Sequence, residues 1–206
     1  MTPRTMRPNP TGRLDLTSVW RRERNRATQP ERSHEPWCRG HGWMLDAGLV
    51  SVLSPLLYGD EFRDDSFFRF TSLGADTAAR LLELLPQDYL ANERQNDGPT
   101  IGTVLRAVVA HPDRIRAHGY VIGPGRCDER LTVEGVLFRT EEEYRLCPVY
   151  GPPLSTCDCD RLYTRLREEY GVDDALVPPH ELDKWFGYEW GTDGYHRESW
   201  YRAWWD

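Results

Sequence analysis

Apolar residues recur along this chain in two rhythms, one of three to four residues and one of two, and the switch between them marks its elements. Ile101, Val104, Leu105, Val108 and Val109 fall at i, i+3, i+4, i+7 and i+8, the apolar face of a helix. Thr100 stands where an N-cap hydroxyl accepts from a free first-turn amide, and Pro112 ends the helix at His111. The rhythm then shortens. Tyr120 to Ile122 and Leu131 to Val136 are rich in β-branched and aromatic residues and predict two strands. Between them, Gly123-Pro124-Gly125-Arg126 combines a fixed proline φ with permissive glycines, so the strands form a hairpin over about 119–137. In its second strand Leu131, Val133 and Leu137 alternate with Thr132, Glu134 and Phe138, and Gly135 is placed for a bulge.

The same reading extends outward. Leu45, Leu49, Val52, Leu53 and Leu56 predict a core helix within 44–57, and Phe67, Phe68 and Phe70 a short buried strand. Ala78, Leu81, Leu82 and Leu85 predict a helix over 75–85, closed by Pro86, with a helical turn at Tyr89-Leu90 after it. Tyr144 to Tyr150 reads as a third strand. A further helix opens at Ser155 or Thr156 and runs to Tyr170, with Gly171 as its C′ residue and Val172 placed for a Schellman contact. Helices and hairpin-linked strands without regular strand–helix alternation make the class α+β: a small antiparallel sheet packed on helices.

Charge divides the chain. The net charge is −7, yet residues 1–32 carry eight Arg against three acids, so the remainder is strongly acidic. Residues 1–35 lack apolar periodicity and cannot bury enough surface to offset their ordering entropy, which predicts a disordered basic head. That head reads as a nucleic-acid arm, a targeting peptide or a solvated tail, unless translation starts at Met44. Residues 36–206 then form one α+β domain.

Five cysteines, at 38, 127, 147, 157 and 159, are odd in number and irregular in spacing, which points to a reducing cytoplasm. The most apolar window, Trp43 to Tyr58, contains Asp46 and Pro55 and is too short to span a bilayer, so no membrane association is expected.

The last 22 residues hold nine of the chain's 24 aromatics. A helix from about Tyr195 would set Trp200 over Trp204 and Tyr201 over Trp205 at i, i+4 spacing. Such a segment either packs back as core or anchors an interface, because Trp and Tyr dominate binding hot spots. The interface candidates are Trp190, Trp200, Tyr201, Trp204 and Trp205.

Catalytic signatures are missing. The sequence has no G-x-S-x-G elbow, no H-E-x-x-H helix and no phosphate-binding loop, so no catalytic residue or cofactor is assigned. His111 and His118, with Asp113, Arg114 and Arg116, form the densest polar group, at a helix end where cations are favoured. Cys38, His41, Cys157 and Cys159 have suitable ligand types for zinc, although C-x-C is not the usual knuckle spacing. The element order over 75–137 matches a winged helix-turn-helix, in which Arg106, Arg114, Arg116, Arg126 and Arg130 would meet DNA. Against it, residues 74–140 hold eight Arg and nine acids. The reading that results is a binding protein, acting on a protein partner through its aromatic tail or hairpin tip, with a DNA-binding regulator or an enzyme as alternatives.

Overall fold

The hairpin is the centre of the molecule. The computed structural model describes residues 16–26, 39–58, 67–148, 154–185 and 200–206. Its helices are α1 (Leu16–Arg26), α2 (Trp43–Asp46), α3 (Leu49–Leu53), α4 (Ala75–Leu84), α5 (Gln87–Asn92), α6 (Ile101–Ala110) and α7 (Cys159–Tyr170). Its strands are β1 (Leu57–Tyr58), β2 (Phe67–Leu73), β3 (Ile115–Ile122), β4 (Arg130–Arg139), β5 (Glu181–Trp185) and β6 (Trp200–Trp204). They form one six-stranded antiparallel sheet in the order β1-β2-β3-β4-β6-β5. The α+β class is as the sequence predicts, but the sheet is not small, and β3 and β4 lie inside it. The hairpin is bonded on both outer edges, β3 to β2 and β4 to β6, and so is internal to the sheet.

One face of the sheet carries the core. Phe68, Phe70, Ala117, Val121, Leu131, Val133, Val136, Phe138, Tyr201 and Ala203 bury against Ala78 and Leu81 of α4, Val104, Leu105 and Val108 of α6, and Leu162 and Leu166 of α7. The opposite face, open at its cleft and rim, is itself buried along its centre, at His118, Tyr120, Ile122, Thr132, Glu134 and Leu137.

Two bulges set the phase of this burial. Ala117 pairs with Val136 and His118 with Gly135, but Gly119 pairs with Val133, leaving Glu134 as an extra residue in β4. Core-facing positions are therefore 131 and 133 before the bulge and 136 and 138 after it. This corrects the simple alternation: Phe138 faces the core and Leu137 the open face. On the other side of His118, β2 sets Thr71 and Ser72 between the Phe70–Gly119 and Leu73–Ala117 pairs, with Ser72 at φ 60°.

Several elements differ from their predicted form. Gly48, at φ 77°, splits the expected helix over 44–57 into α2 and α3. Residues 143–148 form no strand; the Tyr144 amide donates instead to the Tyr201 hydroxyl at 3.1 Å. Helix α7 starts at Cys159, because the Asp158 carboxylate accepts from the Arg145 amide at 2.9 Å while its own amide donates to the Arg145 carbonyl at 2.8 Å. Trp200–Trp204 is a strand, not a helix, so Tyr201 and Trp205 share one face and Trp200 and Trp204 the other, while residues 195–199 of the expected helix lie outside the described residues.

Other features are as predicted. The Thr100 hydroxyl caps α6 by accepting from the Thr103 amide, and Asp174 reinforces it by accepting from the Thr100 amide and hydroxyl at 3.1 and 2.6 Å. Gly171, at φ 70°, closes α7, and the Val172 amide reaches the Leu166 carbonyl at 3.4 Å in a Schellman arrangement.

Within the basic head, residues 16–26 form α1, an ordered element that the composition of the segment does not suggest. Leu16, Val19 and Trp20 are buried, and the Trp20 ring lies 4.9 Å from Phe68. Trp20 Nε1 donates to buried Glu129 at 3.0 Å; the same carboxylate accepts from the Gly42 and Met44 amides. Burial pushes the Glu129 carboxyl above its ordinary value, against the pull of those donors. The rest of the head lies outside the described residues. No helix among the described residues is long and apolar enough to cross a membrane.

Candidate functional site

The open face of the sheet holds a cleft of about 300 Å³, lined on its polar side by Arg69, His118, Glu134 and Arg202 and on its apolar side by Leu137, Trp185 and Trp204. Five strands build it. Arg69 is on β2, His118 on β3, Glu134 at the β4 bulge, Arg202 and Trp204 on β6, and Trp185 on β5. The bulge gives Glu134 its place, since an extra residue re-aims a side chain.

At the floor, Arg69 donates to Glu134 Oε1 at 2.6 Å, and His118 Nδ1 stands 3.6 Å from the same oxygen. Burial pushes the Glu134 carboxyl up, but the neighbouring His118 imidazole and Arg69 guanidinium outweigh it and hold the group below its ordinary value. His118 Nε2 is buried without a hydrogen-bond partner. A Cβ at position 135 would lie 2.4 Å from that nitrogen and 2.5 Å from the Ala203 carbonyl oxygen, so Gly135 is what lets the ring lie across β4.

At the rim, Arg202 donates to Asp183 and Glu181 on β5. Its guanidinium lies 5.7 Å from the Trp185 ring and 6.0 Å from the Trp204 ring, within cation–π range of both. Beyond Arg69 the aromatic surface continues, with Phe67 stacked on Tyr120 at 4.8 Å.

The predicted interface residues divide. Trp200 and Trp204 are half-buried on the open face. Tyr201 and Trp205 are core, at 0 % and 1 % exposure, and Trp205 Nε1 donates to the Val177 carbonyl at 3.0 Å. They are therefore not available as interface anchors. Trp190 lies outside the described residues.

The arginines assigned to DNA are dispersed and engaged. Arg126 and Arg130 both bind Asp128, at 2.7 and 2.6 Å, beside the hairpin tip. Arg114 is 3.9 Å from Glu169, Arg116 donates to the Pro112 and Ile115 carbonyls, and Arg106 donates to the Thr103 hydroxyl at 3.2 Å. His111 is separated from His118 and lies edge-on to Tyr170 at 5.2 Å.

The cysteines also regroup. The thiol sulfurs of Cys147, Cys157 and Cys159 lie within 4.8 Å of one another. His41 is not in that cluster; its Nδ1 is 2.7 Å from the Pro124 carbonyl oxygen at the hairpin tip, and Cys38 lies outside the described residues. Of the composite set Cys38, His41, Cys157 and Cys159, the described residues bring together Cys157 and Cys159, joined by Cys147. Hydrogen bonding from the Cys159 amide and the neighbouring thiols holds Cys157 below its ordinary value, while burial pushes Cys159 up to about 11.

Comparison with models of known families, with curated proteins and with solved structures gives no match.

Proposed function

We propose that this chain is a binding protein that docks a partner protein on the open face of its sheet. Trp185, Trp200 and Trp204 are the anchors, and Arg69 and Arg202 the orienting cations. One observation carries the reading: two half-buried tryptophans, Trp185 and Trp204, flank an arginine already held by carboxylates, and half-buried Trp200 lies on the same face of β6. Tryptophan and arginine are the residues most enriched at binding hot spots, and a guanidinium fixed before contact loses little entropy on docking. The acidic body and the engaged arginines disfavour a phosphate backbone as partner. A reducing cytoplasm suits the free thiols at Cys127, Cys147, Cys157 and Cys159.

The test is affinity capture by the full-length chain from its native lysate, with and without nuclease, followed by cross-linking of the captured complex. Retention after nuclease, with cross-links to the open face, is expected. Loss of capture on nuclease treatment contradicts the protein-partner reading.

A second reading, a small-molecule site with acid–base chemistry, draws on the buried His118–Glu134 pair at the floor of the cleft. The unpartnered Nε2 of His118 lies against Gly135. A ligand screen by thermal shift separates the two, because ligands of this site must lose their effect in His118→Ala.

A further inference from the structure

Three thiols on two chain segments converge at the start of α7. The first segment, after β4, brings Cys147; the second brings Cys157 and, at the first helical position, Cys159. Hydrogen bonds from backbone amides hold the segments together. The Asp158 amide donates to the Arg145 carbonyl at 2.8 Å, the Asp158 carboxylate accepts from the Arg145 amide at 2.9 Å, and the Cys147 amide donates to Cys159 Sγ at 3.4 Å. Convergence is thus fixed by this hydrogen bonding before any ligand arrives.

The spacing fits coordination by one ion. With metal–sulfur bonds of about 2.3 Å in a tetrahedron, thiolate sulfurs stand roughly 3.8 Å apart. All three sulfurs here lie within 4.8 Å of one another, so inward shifts of less than about 1 Å close the site. The exposed Cys157 gives an entry path, and half-buried Cys159 packs on the core and gives a rigid wall. Three soft sulfur donors select thiophilic ions over magnesium or calcium, which take oxygen ligands.

We infer that Cys147, Cys157 and Cys159 form a binding site for a thiophilic divalent cation of the zinc class, with three thiolate ligands and one coordination position left for a further ligand. Binding exchanges the thiol protons for the cation: one M²⁺ enters, three S–M bonds form and three protons leave to solvent, with no change of oxidation state. The ion clamps the segment after β4 to the N-terminus of α7. This site is separate from the tryptophan-lined cleft and does not depend on the docking proposal.

The test uses the full-length chain, reduced and stripped with a chelator, then titrated with Co²⁺ as a spectroscopic probe and with Zn²⁺ in competition. The expected result is one equivalent of Co²⁺ with thiolate-to-cobalt charge-transfer absorption, displaced by Zn²⁺ and weakened at least tenfold by Cys157→Ser. Cys157 is exposed, so that variant keeps its fold; Cys147→Ser, with a melting curve to show it folded, gives the same weakening. No charge-transfer band, or a band unchanged in both variants, overturns the inference. So does a disulfide among these three cysteines that persists under the reducing conditions of the titration.

Discussion

Arg202 and Asp183 face each other in the β5–β6 register and are joined by two hydrogen bonds, Nε to Oδ1 at 2.9 Å and a terminal nitrogen to Oδ2 at 3.0 Å. This fork holds the guanidinium between Trp185 and Trp204 before any partner arrives. Asp183→Asn removes the charge and keeps the volume. Because both side chains are partly solvated, its cost in stability is at most about 1 kcal/mol. Partner affinity is expected to fall about tenfold, equivalent to roughly 1.4 kcal/mol. Chemical denaturation and titration of the captured partner read the two effects separately.

Gly135 lies under His118 with no room for a side chain, since an added Cβ would stand 2.4 Å from Nε2 and 2.5 Å from a backbone oxygen of β6. The imidazole must turn away, and the β4–β6 pair cannot easily part to help. Gly135→Ala is therefore expected to destabilise the fold by about 1–3 kcal/mol. A denaturation midpoint equal to that of the wild type contradicts this packing.

Trp20 ties α1 to the rest of the domain through Phe68 and Glu129. Trp20→Ala is expected to cost about 3–5 kcal/mol, as for other fully buried aromatics. A chain started at Met44 loses the same contacts and should melt well below the full-length protein. If it melts with the full-length chain, α1 contributes nothing to the core.

Glu134 carries a pH signature. Its carboxyl ionises below the ordinary glutamate value in the folded chain and near that value when unfolded. Its stabilising contribution is complete above the ordinary value and is lost as pH falls through the folded one. Glu129, whose carboxyl is raised by burial, acts in the opposite sense, so only a variant comparison isolates Glu134. Between pH of about 7 and about 3.5, wild-type stability should fall more steeply than that of Glu134→Gln. Parallel curves would falsify the assignment.

Local order was readable from the sequence, and pairing was not. Helix α6 and its Thr100 cap follow from a 3.6-residue rhythm, and the hairpin from a Gly-Pro-Gly turn between apolar runs. The bulge at Glu134 leaves no local mark beyond an adjacent glycine, yet it reverses the faces of Leu137 and Phe138. At the C-terminus, residues 200, 201, 204 and 205 satisfy an i, i+4 helical pattern as well as they fit a strand. Hydrogen bonding to β4 and β5 decides between them, and that is a long-range property. The same holds for α1, whose Leu16, Val19 and Trp20 sit at helical spacing inside an arginine-rich stretch. The cleft draws on residues from 69 to 204, so no window of sequence contains it. The three thiols are nearer in sequence, but it is the hydrogen bonds of Arg145 with Asp158 and of the Cys147 amide with Cys159 Sγ that bring Cys147 to its partners.

The most direct test of the docking account compares two sets of tryptophans in one capture experiment. Trp200→Ala/Trp204→Ala alters the open face, and Trp205→Ala alters the core. The account predicts that the double variant keeps most of its thermal stability and loses the partner, while Trp205→Ala is strongly destabilised, by about 3–5 kcal/mol. Full partner retention by a folded Trp200→Ala/Trp204→Ala chain would contradict the central claim.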